Sequence, residues 1–226
     1  MKDELLIIGD IAGNFQALNR LLSQLSYKPH VISLGDAVDK GPESKEVLDF
    51  FKDNDKATLI LGNHEYMMLR TVIESENASA LSDLQLGNLW LQSRGTDTLD
   101  SFLGTNITST AQILERLQSF RTLFIEGGYL SFLNSCPIIY HLPDLILTHS
   151  PANVKWVPKY LKSMQLKKEQ VRLGVDPVTF QHWIETDTTR VAAPTAFPIS
   201  FPDFLFSRKN PSPVKNRTQI FGHMSR

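Results

Sequence analysis

Three short stretches carry side chains able to hold a metal ion or to move a proton: Gly9-Asp10, Gly35-Asp36 and Gly62-Asn63-His64-Glu65. Each closes a short apolar run, namely Leu5 to Ile8, Val31 to Leu34 and Thr58 to Leu61. Two later runs close on His149 and on Gly222-His223. Taken singly, each residue has a plainer reading. An Asp after a strand commonly caps the next helix, and a His at a strand end is commonly a polar residue at a rim. The plainer reading fails on repetition, because three successive turns carry Gly-Asp, Gly-Asp and Gly-Asn-His. A glycine lets the backbone turn tightly just before each donor. Two carboxylates, an amide oxygen and two imidazoles are hard-to-borderline donors, suited to Mn, Fe, Zn or Co.

The elements that must position these donors follow from periodicity. Phe15, Leu18, Leu21, Leu22 and Leu25 fall on one face of a helix expected over 14–25. A second helix is expected over Glu43 to Phe51, with Pro42 at its start, where a missing N–H does little harm. A third is expected from about Glu65. The order β-α-β-α-β-α defines an α/β fold whose sheet begins parallel. In such sheets the carboxyl ends of the strands gather at one edge, where ligands bind. Asp10, Asp36, Asn63, His149 and His223 are therefore expected together. The stretch from Ala78 to Leu123 reads as mostly helical, with breaks near Gly95 and Gly104. Strands return at Ile138–Tyr140, Leu145–Thr148 and Gln219–Phe221. Ala192 to Pro202 has no charge and is expected to be an apolar loop presenting Phe197 and Phe201.

Composition narrows the function. The 226 residues suit a single domain over 1–226, and 42% hydrophobic with 21% charged residues is ordinary for a globular protein. A net charge of −1 gives no electrostatic footprint for a nucleic acid or an anionic membrane. Cys136 is the only cysteine, so no internal disulfide can form. The apolar run at the N-terminus is too short for a signal peptide. A cytoplasmic location is expected.

The motifs Gly35-Asp36-Ala37-Val38-Asp39-Lys40-Gly41-Pro42 and Gly62-Asn63-His64-Glu65 resemble the GDxVDRG and GNHE motifs of calcineurin-like metallophosphoesterases. Gly9-Asp10-Ile11-Ala12-Gly13 is similar to their GDxHG motif with alanine in place of the histidine, and His149 and Gly222-His223 are similar to their HxG and GH elements. Trp90-Leu91, Gly95 and Thr98-Leu99 resemble a WLxxGGxxTL stretch of the bacterial and phage Ser/Thr phosphatases, with Arg94 replacing a glycine. The resemblance implies a central β-sandwich flanked by helices and further strands beyond Arg226, which this chain is expected to lack. It implies two divalent cations, Mn first and Fe, Zn, Co or Ni as alternatives. Asp36 would be shared, Asp10 would hold the first ion, and Asn63, His149 and His223 the second. Ala12 removes an imidazole from the first. His64, oriented by Asp39, would protonate the leaving oxygen. Lys40 and Arg208 would bind phosphate, with Lys40 unable to make the bidentate contact of the arginine usual there. Glu65 is expected simply to favour a helix start. The implied activity is dephosphorylation of Ser/Thr phosphoproteins or small phosphate esters. The alternatives are a dinucleoside polyphosphate hydrolase and an inactive protein that binds phosphorylated ligands.

Overall fold

A computed structural model describes residues 4–104, 110–142, 144–151 and 218–223. The first three strands are β1 (Leu5–Ile8), β2 (His30–Ser33) and β3 (Ala57–Leu59). They form one parallel sheet in the order β1-β2-β3, with Ile7 opposite Ile32 and Ile32 opposite Thr58. Their crossovers are α1 (Phe15–Ser23) and α2 (Ser44–Asp53), and α3 (Asn63–Glu74) follows β3. Asn14 caps α1, its side chain accepting the Ala17 N–H at 3.0 Å. In α2 the buried face is Val47, Leu48 and Phe51, at the spacing of a helix laid on a sheet.

β3 is shorter than the apolar run that suggested it. The Ile60 N–H still bonds to Ser33, but the Leu61 N–H turns to the Pro137 carbonyl at 2.9 Å. The chain therefore leaves the first sheet at Leu59 and leans toward the second. That sheet contains β4 (Ile139–Leu142), β5 (Leu145–Thr148) and β6 (Thr218–Phe221), in that order. β4 pairs antiparallel with β5, and β5 parallel with β6. Ile32, Leu34 and Ile60 meet Tyr140 and Leu147 between the sheets, which makes the core of a sandwich. The outer face of the first sheet, through Val31 and Leu59, packs on the helices.

Residues 78–126 are mostly helical, as the sequence suggests. A short turn at Leu81–Asp83 leads to α4 (Gln85–Trp90), α5 (Thr96–Leu103) and α6 (Thr110–Glu126), and α7 (Tyr129–Ser135) follows. The break between α4 and α5 lies at Ser93 and Arg94, the latter in the left-handed region at φ 72°. Gly104, at φ 66°, ends α5 with its N–H on the Asp100 carbonyl. An aromatic cluster joins these helices. Phe102 meets Phe120 edge-on at 5.0 Å, and Phe124 stacks on Tyr129 at 5.4 Å. The loop expected over 192–202 lies outside the described residues. No helix among the described residues is long and apolar enough to cross a membrane.

Phe120 is fully buried at the centre of this cluster. Phe120→Ala should lower the unfolding free energy by about 3–5 kcal/mol, the usual range for a buried aromatic. Leu123→Ala on the same helix, where the side chain is 45% exposed, should change it by less than about 1 kcal/mol. Urea unfolding followed by circular dichroism measures both, and equal losses would contradict the packing described.

Candidate functional site

Each donor sits just beyond a strand, as the fold requires. Asp10 follows β1, Asp36 follows β2, Asn63 and His64 open α3, His149 follows β5, and His223 follows β6. The donor atoms of Asp36, His149 and His223 lie within 4.8 Å of one another. His149 shows what the cluster could hold. Its Nδ1 lies 2.8 Å from the Leu34 carbonyl oxygen, which can only accept, so Nδ1 carries the proton. Nε2 then presents a bare lone pair. That lone pair faces Asn63 Oδ1 at 2.9 Å, His223 Nδ1 at 3.1 Å and Asp36 Oδ1 at 3.4 Å. Two of those partners are acceptors with no proton to offer. Lone pairs converging on one point fit a divalent cation, and a neutral imidazole held by a backbone carbonyl is the usual form of a metal-binding histidine. Burial also pushes the His149 pKa down, which keeps it neutral.

Asp36 is buried, and burial pushes its carboxyl up to about 6, with the Asp10 charge adding to the rise and His64 and Lys40 opposing it. A buried carboxylate that resists ionisation in its own protein is suited to a cation. Asp10 itself is exposed, and its Oδ1 is 3.3 Å from where a β-carbon on Gly222 would stand. It lies beside the cluster rather than within it. Ala12 is partly exposed at φ 53°, its N–H on the Asp36 carbonyl at 2.9 Å. Lys40 is exposed, and its charge reaches Asp36. Arg208 lies outside the described residues.

His64 forms a second device. Its Nδ1 is 2.6 Å from Asp39 Oδ2, while Nε2 points inward, 3.8 Å from Asp36 Oδ2. Burial opposes the charged imidazole, but the Asp39 hydrogen bond and the Asp36, Asp39 and Glu65 charges outweigh it, so the His64 pKa is raised. A histidine whose pKa is raised and whose free nitrogen faces the site is placed to donate a proton.

Glu65 does far more than favour a helix start. Its carboxylate is buried and accepts four backbone N–H groups: Asp36 at 2.9 Å and Gly62 at 2.8 Å on Oε2, and Ala37 at 2.8 Å and Val38 at 3.2 Å on Oε1. Sequence reading found its position but not its partners, which lie up to 29 residues away. Its bonds fix a strained backbone. Outside glycine, positive φ occurs among the described residues at Ala12, Asp36, Asp39, Lys40, Arg94 and His223. All but Arg94 belong to the strand-end motifs. Strain of this kind gathers at functional sites and persists only where the surroundings over-determine it.

A donor cluster at the carboxyl edge of an α/β sandwich, with an Asp-backed histidine beside it, defines a metal-dependent phosphoesterase class. The sequence profile of the Calcineurin-like phosphoesterase family matches residues 4–184, and the chain belongs to that family. The chain is 34% identical over 120 residues to Serine/threonine-protein phosphatase 2 of Escherichia coli (strain K12), covering 52% of this chain and 48% of that protein. It is 29% identical over 126 residues to the symmetrical Bis(5'-nucleosyl)-tetraphosphatase of Nitrosospira multiformis, covering 54% of this chain and 40% of that one. It thus matches half or less of the length of these relatives. Among solved structures, a metallophosphoesterase from Sphaerobacter thermophilus aligns with TM-score 0.38 at 19% identity, covering 69% of this chain and 49% of that chain.

Glu65→Gln keeps the shape of the side chain but turns an amide NH₂ toward two backbone N–H groups. Each buried donor left without an acceptor costs about 1–3 kcal/mol, so the variant should lose at least about 2 kcal/mol of unfolding free energy. Thermal or urea unfolding of chelator-treated protein measures this without any contribution from bound metal. A variant as stable as the parent would show that the Glu65 bonds are dispensable.

Proposed function

We propose that this chain is a two-metal phosphatase of the Ser/Thr phosphoprotein type, acting in the cytoplasm, with Mn²⁺ as its preferred ion. The observation that carries the reading is the bare Nε2 of His149 facing Asn63 Oδ1 and Asp36 Oδ1. Asp36, Asn63, His149 and His223 would hold one cation, while Asp10 and the shared Asp36 would hold the other. Divalent cations there supply Lewis acidity toward an attacking water and the phosphoryl oxygens.

The protein's own groups do the rest. Asp39 holds the His64 Nδ1 proton, which leaves Nε2 to carry the proton given to the leaving oxygen. Lys40 offers a point charge to phosphate, and Arg208 is proposed as its partner on the resemblance alone. The four N–H bonds of Glu65 hold the Asp36 loop and the start of α3 in one arrangement, so that donors and acid keep their spacing as charge moves. Gly62-Asn63-His64-Glu65 and the Trp90 to Leu99 stretch, which resembles the bacterial Ser/Thr phosphatases, favour phosphoproteins over dinucleoside polyphosphates as substrate. Comparing a phosphoserine peptide with diadenosine tetraphosphate tests that choice.

Ala12 favours a second reading, a protein that binds phosphorylated ligands with little turnover. Its backbone already places a β-carbon in the left-handed region, where histidine is better tolerated than alanine. Ala12→His therefore adds an imidazole with no new backbone penalty. The parent should hold about one ion tightly at limiting Mn²⁺, and Ala12→His should hold about two, with kcat raised at least about 10-fold. Elemental analysis of the dialysed proteins with p-nitrophenyl phosphate turnover measures both. A parent that already retains two ions, with no gain from the added imidazole, would show that another group fills the place.

His64→Asn should lower kcat by about 10²–10⁴-fold on a phosphoserine peptide, whose leaving group needs a proton, and by much less on p-nitrophenyl phosphate. Metal content should stay unchanged. Equal losses on the two substrates, or loss of bound metal, would remove His64 from the role of acid.

A further inference from the structure

The Asp39 carboxylate accepts three hydrogen bonds, and two of them come from outside the strand-end motifs. Asp39 is fully buried. Its Oδ2 accepts from His64 Nδ1 at 2.6 Å and from the indole Nε1 of Trp90 at 2.9 Å. Its Oδ1 accepts the Thr98 hydroxyl at 2.5 Å. Its backbone N–H lies 3.0 Å from Ser44 Oγ and 3.1 Å from Thr98 Oγ1, and these two hydroxyl oxygens are 2.9 Å apart. Trp90 ends α4 and Thr98 lies in the first turn of α5, so both reach Asp39 from the helical segment between α3 and α6.

The local backbone of that segment is shaped around these contacts. Trp90 and Thr98 have no solvent exposure. A β-carbon on Gly95 would stand 2.4 Å from two ring carbons of the Trp90 indole, so glycine is required for the ring to lie where it does. The turn that returns the chain from Trp90 to Thr98 passes through Arg94 at φ 72°, the one strained non-glycine residue among the described residues outside the strand ends. A segment needing only to cover apolar surface has no use for this. A Phe in place of Trp90 would fill most of the same apolar space, and a Val in place of Thr98 would match its shape.

We propose that Trp90 and Thr98 are positioning residues for the leaving-group acid, clamping the Asp39 carboxylate so that His64 holds its proton on Nδ1 and turns Nε2 into the site. Oδ1 is engaged by Thr98 and Oδ2 is shared by Trp90 and His64, so the carboxylate cannot rotate without breaking a bond to α4 or α5. The docking of these helices then sets the alignment of the acid. An imidazole whose partner carboxylate is free to rotate spends part of its time misdirected, and proton donation falls in proportion. This rests on the phosphatase reading, but the clamp is a property of the protein alone.

Thr98→Val removes the hydroxyl and keeps the shape, Thr98→Ser keeps the hydroxyl, and Trp90→Phe removes the indole N–H. Thr98→Val and Trp90→Phe should each lower kcat on a phosphoserine peptide by about 10-fold or more, a fraction of the whole contribution of the acid. Both should leave p-nitrophenyl phosphate turnover and metal content nearly unchanged, and Thr98→Ser should restore the peptide rate. In a His64→Asn background, Thr98→Val should have no further effect. A structural role alone would lower both substrates together in both backgrounds, and that result would overturn the proposal.

Proton–nitrogen NMR of chelator-treated protein gives a readout that needs no turnover. The His64 Nδ1–H resonance should be slowly exchanging in the parent and in Thr98→Ser, and should exchange faster in Thr98→Val and Trp90→Phe. Unchanged exchange in folded Thr98→Val protein would overturn the clamp even if the chain hydrolyses no phosphate ester. A parent inactive on every ester with the NMR differences intact would instead retain the clamp and reject the phosphatase reading.

Discussion

The carboxylate of Glu65 is the interaction on which the rest of the site depends. It takes the N–H groups of Asp36, Ala37, Val38 and Gly62, and so ties the loop after β2 to the first turn of α3. Those are the two places where an ordinary backbone would relax. Asp36 lies in the left-handed region at φ 52°, where a residue with a β-carbon is strained. Hydrogen bonds to a charged acceptor are among the stronger ones, and here they share one rigid side chain. Asp36 cannot return to ordinary φ without pulling its N–H off Oε2. The His64 N–H, on Asp36 Oδ1 at 3.1 Å, adds a second tie between the same segments. The carboxylate that a cation would share is thus oriented through its own backbone, not by packing around its side chain.

Burying Glu65 for this purpose has a cost, which the surroundings offset. Burial and the nearby Asp36 charge push its pKa up, while the N–H groups of Gly62 and Asp36 oppose the rise. With both oxygens fully engaged by donors, the carboxyl acts only as an acceptor. The N-terminus of α3 lies beside it, and the partial positive charge of a helix N-terminus favours an anion.

Much of this was legible in the sequence, for a physical reason. The β-α-β-α-β-α order and the donors at strand ends depend on local periodicity and on glycine punctuation, which a single chain displays. Asp36, Asn63, His149 and His223 meet because parallel strands share an edge, and the His64–Asp39 pair is implied by the resemblance of their motifs. What stayed hidden are contacts decided by tertiary packing. Glu65 reads as a helix-start acid until its four partners are seen. Trp90 and Thr98 read as fragments of a motif without a role, because Asp39 lies 51 and 59 residues away. β3 stops short of its apolar run since the Leu61 N–H is claimed by Pro137, two residues before β4. No periodicity marks a strand's change of partner.

The two halves of the site have opposite hydrogen-bond balances, and this divides the work between them. Around Asp39 every oxygen has a donor, from His64, Trp90 and Thr98, so that half is complete within the protein. Around Asp36 acceptors meet acceptors: His149 Nε2 faces Asn63 Oδ1 and Asp36 Oδ1, and of its three neighbours only His223 Nδ1 could offer it a proton. Burial, with the nearby Asp10 charge adding to it, raises the Asp36 carboxyl to about 6. A divalent cation held there would relieve the repulsion, and part of its binding energy would then stabilise the fold. The half proposed to move a proton is rigid by its own hydrogen bonds. The half that would bind a cation is held in place by Glu65 against the repulsion of its own donors. The fold therefore keeps the donors together before any cation arrives, and that preorganisation is what lets three short Gly-containing turns serve as a binding site.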